Sequence, residues 1–94
     1  MKIIQDSVFE KNLKNILKYI SIDSKTKAKK FNNSLFKKIE NLSNMPYKFR
    51  KSFYYDSENV RDLIFKGYTI PYLIDSDKNK IVLLDIFKWI DKNM

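Results

Sequence analysis

The spacing of apolar residues changes at Met45-Pro46, and that change limits what the chain can build. Before it, apolar side chains recur at steps of three and four: Phe9, Leu13, Ile16, Leu17 and Ile20, then Ala28, Phe31, Leu35, Ile39 and Leu42. Such spacing lays one apolar stripe along each of two helices. After it, side chains alternate, with Tyr68, Ile70, Tyr72 and Ile74 set against Thr69, Pro71 and Leu73, the two-residue period of a strand. Helices with a single apolar stripe must bury it, and a following antiparallel sheet is the surface available.

Local signals set the expected limits of these elements. Lys2 to Gln5 reads as a first strand. Ser7-Val8-Phe9-Glu10 has the spacing of a capping box, which predicts Ser7 as the cap of the first helix. Lys11, Lys14 and Lys18 take the side of that helix away from the stripe. Asp23 or Ser24 can cap the second helix, where Lys25, Lys27, Lys29, Lys30, Lys37 and Lys38 surround the stripe. It should stop near Asn44, because Pro46 disfavours helical geometry at Met45. The few residues between Ile20 and Ser24 can only reverse the chain, giving an antiparallel helical hairpin. Tyr47 to Asn59 holds five aromatic residues without a period and reads as a loop.

Three strands follow, Val60 to Lys66, Tyr68 to Asp75 and Lys80 to Lys88, with Gly67 suited to a tight turn between the first two. In the last strand Val82, Leu84 and Ile86 are expected to oppose Ile81, Leu83 and Phe87. Pro71 cannot donate to a ladder, so it predicts either a bulge there or a different strand order. The expected fold is α+β, in the order β-α-α-β-β-β over a single domain, residues 1–94. The antiparallel helical hairpin packs on one face of a small, mainly antiparallel sheet and leaves the other face at least partly open.

Composition excludes several classes of chemistry. The chain has no cysteine and no histidine, which removes disulfides, thiolate metal sites and the usual general base. No metal or cofactor is expected. No apolar run approaches the roughly 20 residues needed to span a bilayer, and residues 1–6 lack the apolar core of a secretory signal, so a cytoplasmic protein without a membrane partner is expected. The net charge of +8 is uneven: up to Lys51 there are 13 basic and 4 acidic residues, and beyond it 6 and 7. A basic first half suits nucleic acid or an acidic partner. Against a dedicated phosphate site, 17 of the 19 basic residues are lysine.

The element order, together with residues 59–75 and 80–89, resembles the RelE/ParE toxin superfamily of type II toxin–antitoxin systems. Asn59 to Asp75 is similar to the superfamily's arginine-bearing strand, Gly-Tyr turn and Tyr-x-Ile-x-Tyr strand. Lys80 to Trp89 resembles its last strand, and Asn44-Met45-Pro46 the proline that closes its second helix. The resemblance implies a growth-inhibiting toxin of the kind that stabilises plasmids, held in complex with a cognate antitoxin; an acidic, amphipathic antitoxin would suit the net charge of +8. It also implies one of two targets. ParE-like members poison DNA gyrase by protein–protein contact, whereas RelE-like members cleave messenger RNA on the ribosome without a metal.

For a RelE-like nuclease the resemblance points to Arg61 as the phosphate-contacting cation, with Lys88, Lys51 and Tyr68 as further catalytic candidates. The chain departs from that pattern: Thr69 stands where many members have arginine, and Phe87 to Asp91 offers Lys88 and Trp89 in place of histidine or arginine. The ParE-like reading asks instead for aromatic and arginine anchors, and Phe49, Arg50, Phe53, Tyr54, Tyr55 and Trp89 are the candidates for a target or antitoxin interface. The ordinary alternative for each is core or loop packing, and for Arg61 a solvated side chain or an ion pair with Asp85. A basic nucleic-acid-binding domain without toxicity is a third reading, marked by steep salt dependence.

Overall fold

The computed structural model describes residues 1–88. Strand β1 (Lys2–Gln5) leads into helices α1 (Ser7–Asp23) and α2 (Lys25–Glu40), the latter ending in a 3-10 turn over Asn41–Ser43. Strands β2 (Val60–Phe65), β3 (Tyr68–Asp75), β4 (Lys80–Leu83) and β5 (Phe87–Lys88) follow. The sheet order is β1-β4-β3-β2, with β5 also pairing β3. The β1–β4 pair is parallel and the other pairs are antiparallel. The expected α+β order is thus observed.

The helix caps differ in detail from expectation. Asp6, not Ser7, caps α1: its carboxylate accepts the Val8 N–H at 2.9 Å. The reason is tertiary. The Asp6 N–H donates to the Leu83 carbonyl at 2.9 Å, which extends the β1–β4 pairing and keeps Asp6 in extended backbone. Ser24 alone makes the turn between helices. Its N–H bonds back to Ile20 to close α1, while its hydroxyl accepts the Lys27 N–H to open α2. One extended residue serves as C-cap and N-cap at once.

The core lies between the hairpin and one sheet face. Phe9 and Leu13 of α1 meet Phe31, Leu35 and Ile39 of α2 over Leu63, Phe65, Ile70, Tyr72, Ile74, Ile81, Leu83 and Ile86. At the tip, the β2–β3 connection holds Lys66 at φ 48° and Gly67 at φ 83°, the two positive values of a primed hairpin turn.

One expectation about the strands is corrected. The segment 80–88 is not one continuous strand. From Tyr72–Leu83 to Thr69–Phe87, β3 advances three residues while its partner advances four, so 84–86 form a bulge. The extra residue inverts the faces beyond it: Ile86, not Phe87, joins Ile81 and Leu83 in the core. Pro71 lies at this bulge. Its neighbour Asp62 turns its N–H outward to the Arg50 carbonyl, so the Asp62–Pro71 pair needs no donor from proline. On its other side the Pro71 carbonyl accepts the Leu84 N–H at 2.9 Å, where β4 leaves the ladder.

The sheet face away from the helices stays partly open, as expected, with Ile64 39% exposed on it. It is covered in its middle, since Asp62 and Thr69 there are fully buried. The cover is the segment before β2. The Ser52 N–H bonds to the Val60 carbonyl at 2.8 Å and Lys51 bridges Arg61, which ties the segment to the outer edge of β2.

Candidate functional site

Asp62 organises this covering segment. It sits on the second face of β2 with its side chain wholly excluded from solvent. One oxygen, Oδ2, accepts the Phe53 N–H at 3.1 Å and lies 3.5 Å from Arg50 Nη2. The Arg50 guanidinium in turn stacks over the Phe53 ring, 4.1 Å from its centroid. Phe53 is nonetheless 73% exposed. The result is an aromatic ring held in place from below and offered to solvent. Aromatic and arginine side chains fixed before contact are the groups that supply most of the affinity at protein interfaces.

The other interface candidates support this ring to different degrees. Phe49 packs inward on Tyr72, with centroids 6.5 Å apart. Tyr54 stands edge-on to Phe87 at 5.0 Å, which seals the segment onto the bulge. Tyr55 is 38% exposed. Burial pushes its phenol above the ordinary value, and the carboxylates of Asp85, Asp6 and Asp62 add to the shift. Trp89 lies outside the described residues.

The four nuclease candidates do not converge. Tyr68 and Lys88 are directly paired across β3 and β5. Arg61 pairs with Tyr72, four residues along β3 from Tyr68, a separation of roughly 13 Å at the usual strand rise. Lys51 lies with Arg61, its amine 3.3 Å from Glu58. Arg61 itself is engaged, donating to the Glu58 and Phe49 carbonyls at 3.2 Å and lying over the Tyr47 ring. The ion pair with Asp85, one of the ordinary alternatives for Arg61, is not formed. Asp85 instead accepts from Asn12 Nδ2 at 2.7 Å. Arg61 thus clasps the two ends of the loop, a role for which a bidentate guanidinium is suited.

Sequence reasoning passed over two features. Asp62 was one; the only signal was a carboxylate at a regular position in an apolar strand. The other is a groove of about 440 Å³ between α1 and β5, lined by Asn12, Asn15, Ile16, Tyr19, Tyr68, Ile86, Phe87 and Lys88. Tyr19, 72% exposed, and Ile22, 81% exposed, are large apolar residues off the buried stripe of α1. Among the described residues no cluster of three or more potential metal ligands occurs, and no helix is long and apolar enough to cross a membrane.

Comparison with known proteins decides the family. The family described as "ParE toxin of type II toxin-antitoxin system, parDE" matches residues 3–88, nearly the whole chain. The chain belongs to the ParE toxin family. A solved structure of the chromosomal ParDE TA system from P. aeruginosa contains a chain of similar fold, with a TM-score of 0.73 and 16% identity. The match covers 94% of this chain and 95% of that one. No curated protein matches. The family match spans the bulge and the covering segment, so both lie within the region shared with other ParE toxins.

Proposed function

We propose that this ParE toxin inhibits DNA gyrase by protein–protein contact through the Phe53–Arg50 surface, without cutting nucleic acid. The observation that carries the reading is Phe53, 73% exposed yet held by the Arg50 stack and by its own N–H on a buried carboxylate. A solvent-facing ring ordered in this way loses little freedom on binding. The dispersal of Arg61, Lys51, Tyr68 and Lys88 along the sheet supports contact over cleavage, since a metal-free nuclease needs its donors around one phosphate.

A cognate antitoxin, acidic and amphipathic, is proposed to neutralise the toxin in the cytoplasm. Support comes from the groove between α1 and β5, where the apolar Ile16 and Ile86 adjoin Lys88, and from the net charge of +8. An acidic amphipathic helix would gain affinity from the apolar floor and association rate from the charge.

Pulse-labelling after induced expression in a bacterium tests the target, by following DNA and protein synthesis in one culture. Early arrest of DNA synthesis is expected. Earlier arrest of protein synthesis, with messages cut near the ribosomal A site, would instead favour the nuclease. Arrest of neither would refute toxicity in that host.

A further inference from the structure

We propose that Asp62 is the positioning residue of the target-contacting surface, using its charge to aim Arg50 and thereby order Phe53; this rests on the gyrase-contact reading above. The geometry separates two tasks of the one carboxylate. Accepting the Phe53 N–H is a task any carbonyl oxygen can perform, and an asparagine there would do it without burying a charge. Holding the Arg50 guanidinium is the task that requires the charge.

The surroundings of Asp62 make the charge conspicuous. Its side chain is fully buried on a sheet face whose neighbours across the strand pair are Pro71 and, diagonally, Thr69. Among the described residues its other oxygen, Oδ1, has no hydrogen-bond partner, and neither has the buried Thr69 hydroxyl. A buried carboxylate left half satisfied costs more than the neutral amide of the same shape. Anchoring the loop therefore does not account for aspartate, whereas Arg50 does. Arg50 is itself partly exposed, with 38% of its side chain open to solvent, so without Asp62 it would gain conformational freedom and Phe53 would lose the cation stacked on it.

The test compares Asp62→Asn, Arg50→Gln and Phe53→Ala with the parent toxin, each purified from its antitoxin. Three quantities are measured: thermal midpoint, NMR order of the residue-50 side chain with exchange protection of the residue-53 amide, and inhibition of supercoiling by purified gyrase. The expected Asp62→Asn protein keeps its thermal midpoint and its Phe53 amide protection. Its Arg50 Nε–H becomes mobile, and at least tenfold more toxin is needed to inhibit gyrase. Arg50→Gln should match it in potency, and the double variant should be no weaker than either single one. An Asp62→Asn protein with an ordered Arg50 overturns the proposal, as does one equal to the parent in potency while Phe53→Ala is weakened. If Phe53→Ala and Arg50→Gln both inhibit like the parent, the contact reading falls, and Arg50 mobility in Asp62→Asn still decides whether Asp62 positions that side chain. Should Asp62→Asn not fold, Arg50→Gln carries the test from the exposed side, and undiminished inhibition by it overturns the proposal.

Discussion

The Tyr72 hydroxyl donates to the Pro46 carbonyl at 2.6 Å, joining the middle of β3 to the turn at which the helical half of the chain ends. Tyr72 is fully buried, and burial, with a smaller push from Asp62 against a pull from Arg61, raises its phenol to about 12. Because the folded value exceeds the unfolded one near 10, the unfolded chain releases this proton first. The associated stability is complete below pH 10 and is lost as pH rises towards 12. Tyr72→Phe should cost about 1 kcal/mol at neutral pH. It should also flatten the fall of the thermal midpoint between pH 10 and 12, measured by circular dichroism melts, with Tyr55 supplying part of the residual slope. An unchanged alkaline slope would assign the titration elsewhere.

Phe53→Ala is expected to separate stability from function. The ring is mostly exposed, so the change in unfolding free energy should stay within about 0.5 kcal/mol. Loss of a central aromatic anchor should cost about 2 kcal/mol in target binding, a factor of roughly 30. Denaturant titration together with gyrase supercoiling assays checks both halves.

At the β2–β3 turn, Lys66 adopts φ 48° without being glycine, whereas Gly67 at φ 83° has open space where a Cβ would stand. Gly67→Ala should therefore destabilise through backbone strain alone, by about 1–2 kcal/mol. Lys66→Gly relieves strain but frees the unfolded chain, so a change under about 1 kcal/mol is expected. Urea midpoints of the two variants should differ in that order. Equal midpoints would remove the strain argument.

Tyr19→Glu places a negative charge on the rim of the α1–β5 groove. Thermal stability should hardly change, because Tyr19 is 72% exposed. Binding of an acidic antitoxin should weaken tenfold or more, read by calorimetry at two salt concentrations, with the defect smaller at high salt. Full-strength binding would place the antitoxin elsewhere.

The bulge at 84–86 is held to α1 by the 2.7 Å bond from Asn12 Nδ2 to Asp85. Asn12→Ala takes the cross-element donor from that partly buried carboxylate, leaves it the bond from the Ile86 N–H, and should cost about 1–2 kcal/mol. Amide exchange at residues 84–88 should accelerate more than at β4 if the bond fixes the bulge.

The helical hairpin, the three strands and the turn at Gly67 were legible from periodicity, because each element must bury its own stripe and the stripe is written at a fixed spacing. The proline at 71 also announced an interruption, since a missing N–H is a local fact. Where the interruption falls was not local. Pro71 sits comfortably because Asp62 faces away and β4 leaves its partner one residue further on, and both are properties of neighbouring strands. The same extra residue moved Ile86 into the core and Phe87 out beneath Tyr54, reversing an alternation that the sequence presents as continuous.

The aromatic richness of residues 47–55 and the two arginines were visible as composition, but their roles were not. An exposed Phe53 and an inward Phe49 belong to the same loop and look alike in sequence. Their difference arises only when Arg61 clasps the loop ends and Asp62 draws in the Phe53 amide. Local spacing therefore determined which segments are helix and strand. Tertiary contact decided which side chains reach solvent, because burial of a loop residue depends on the strand beneath it and no periodicity encodes that.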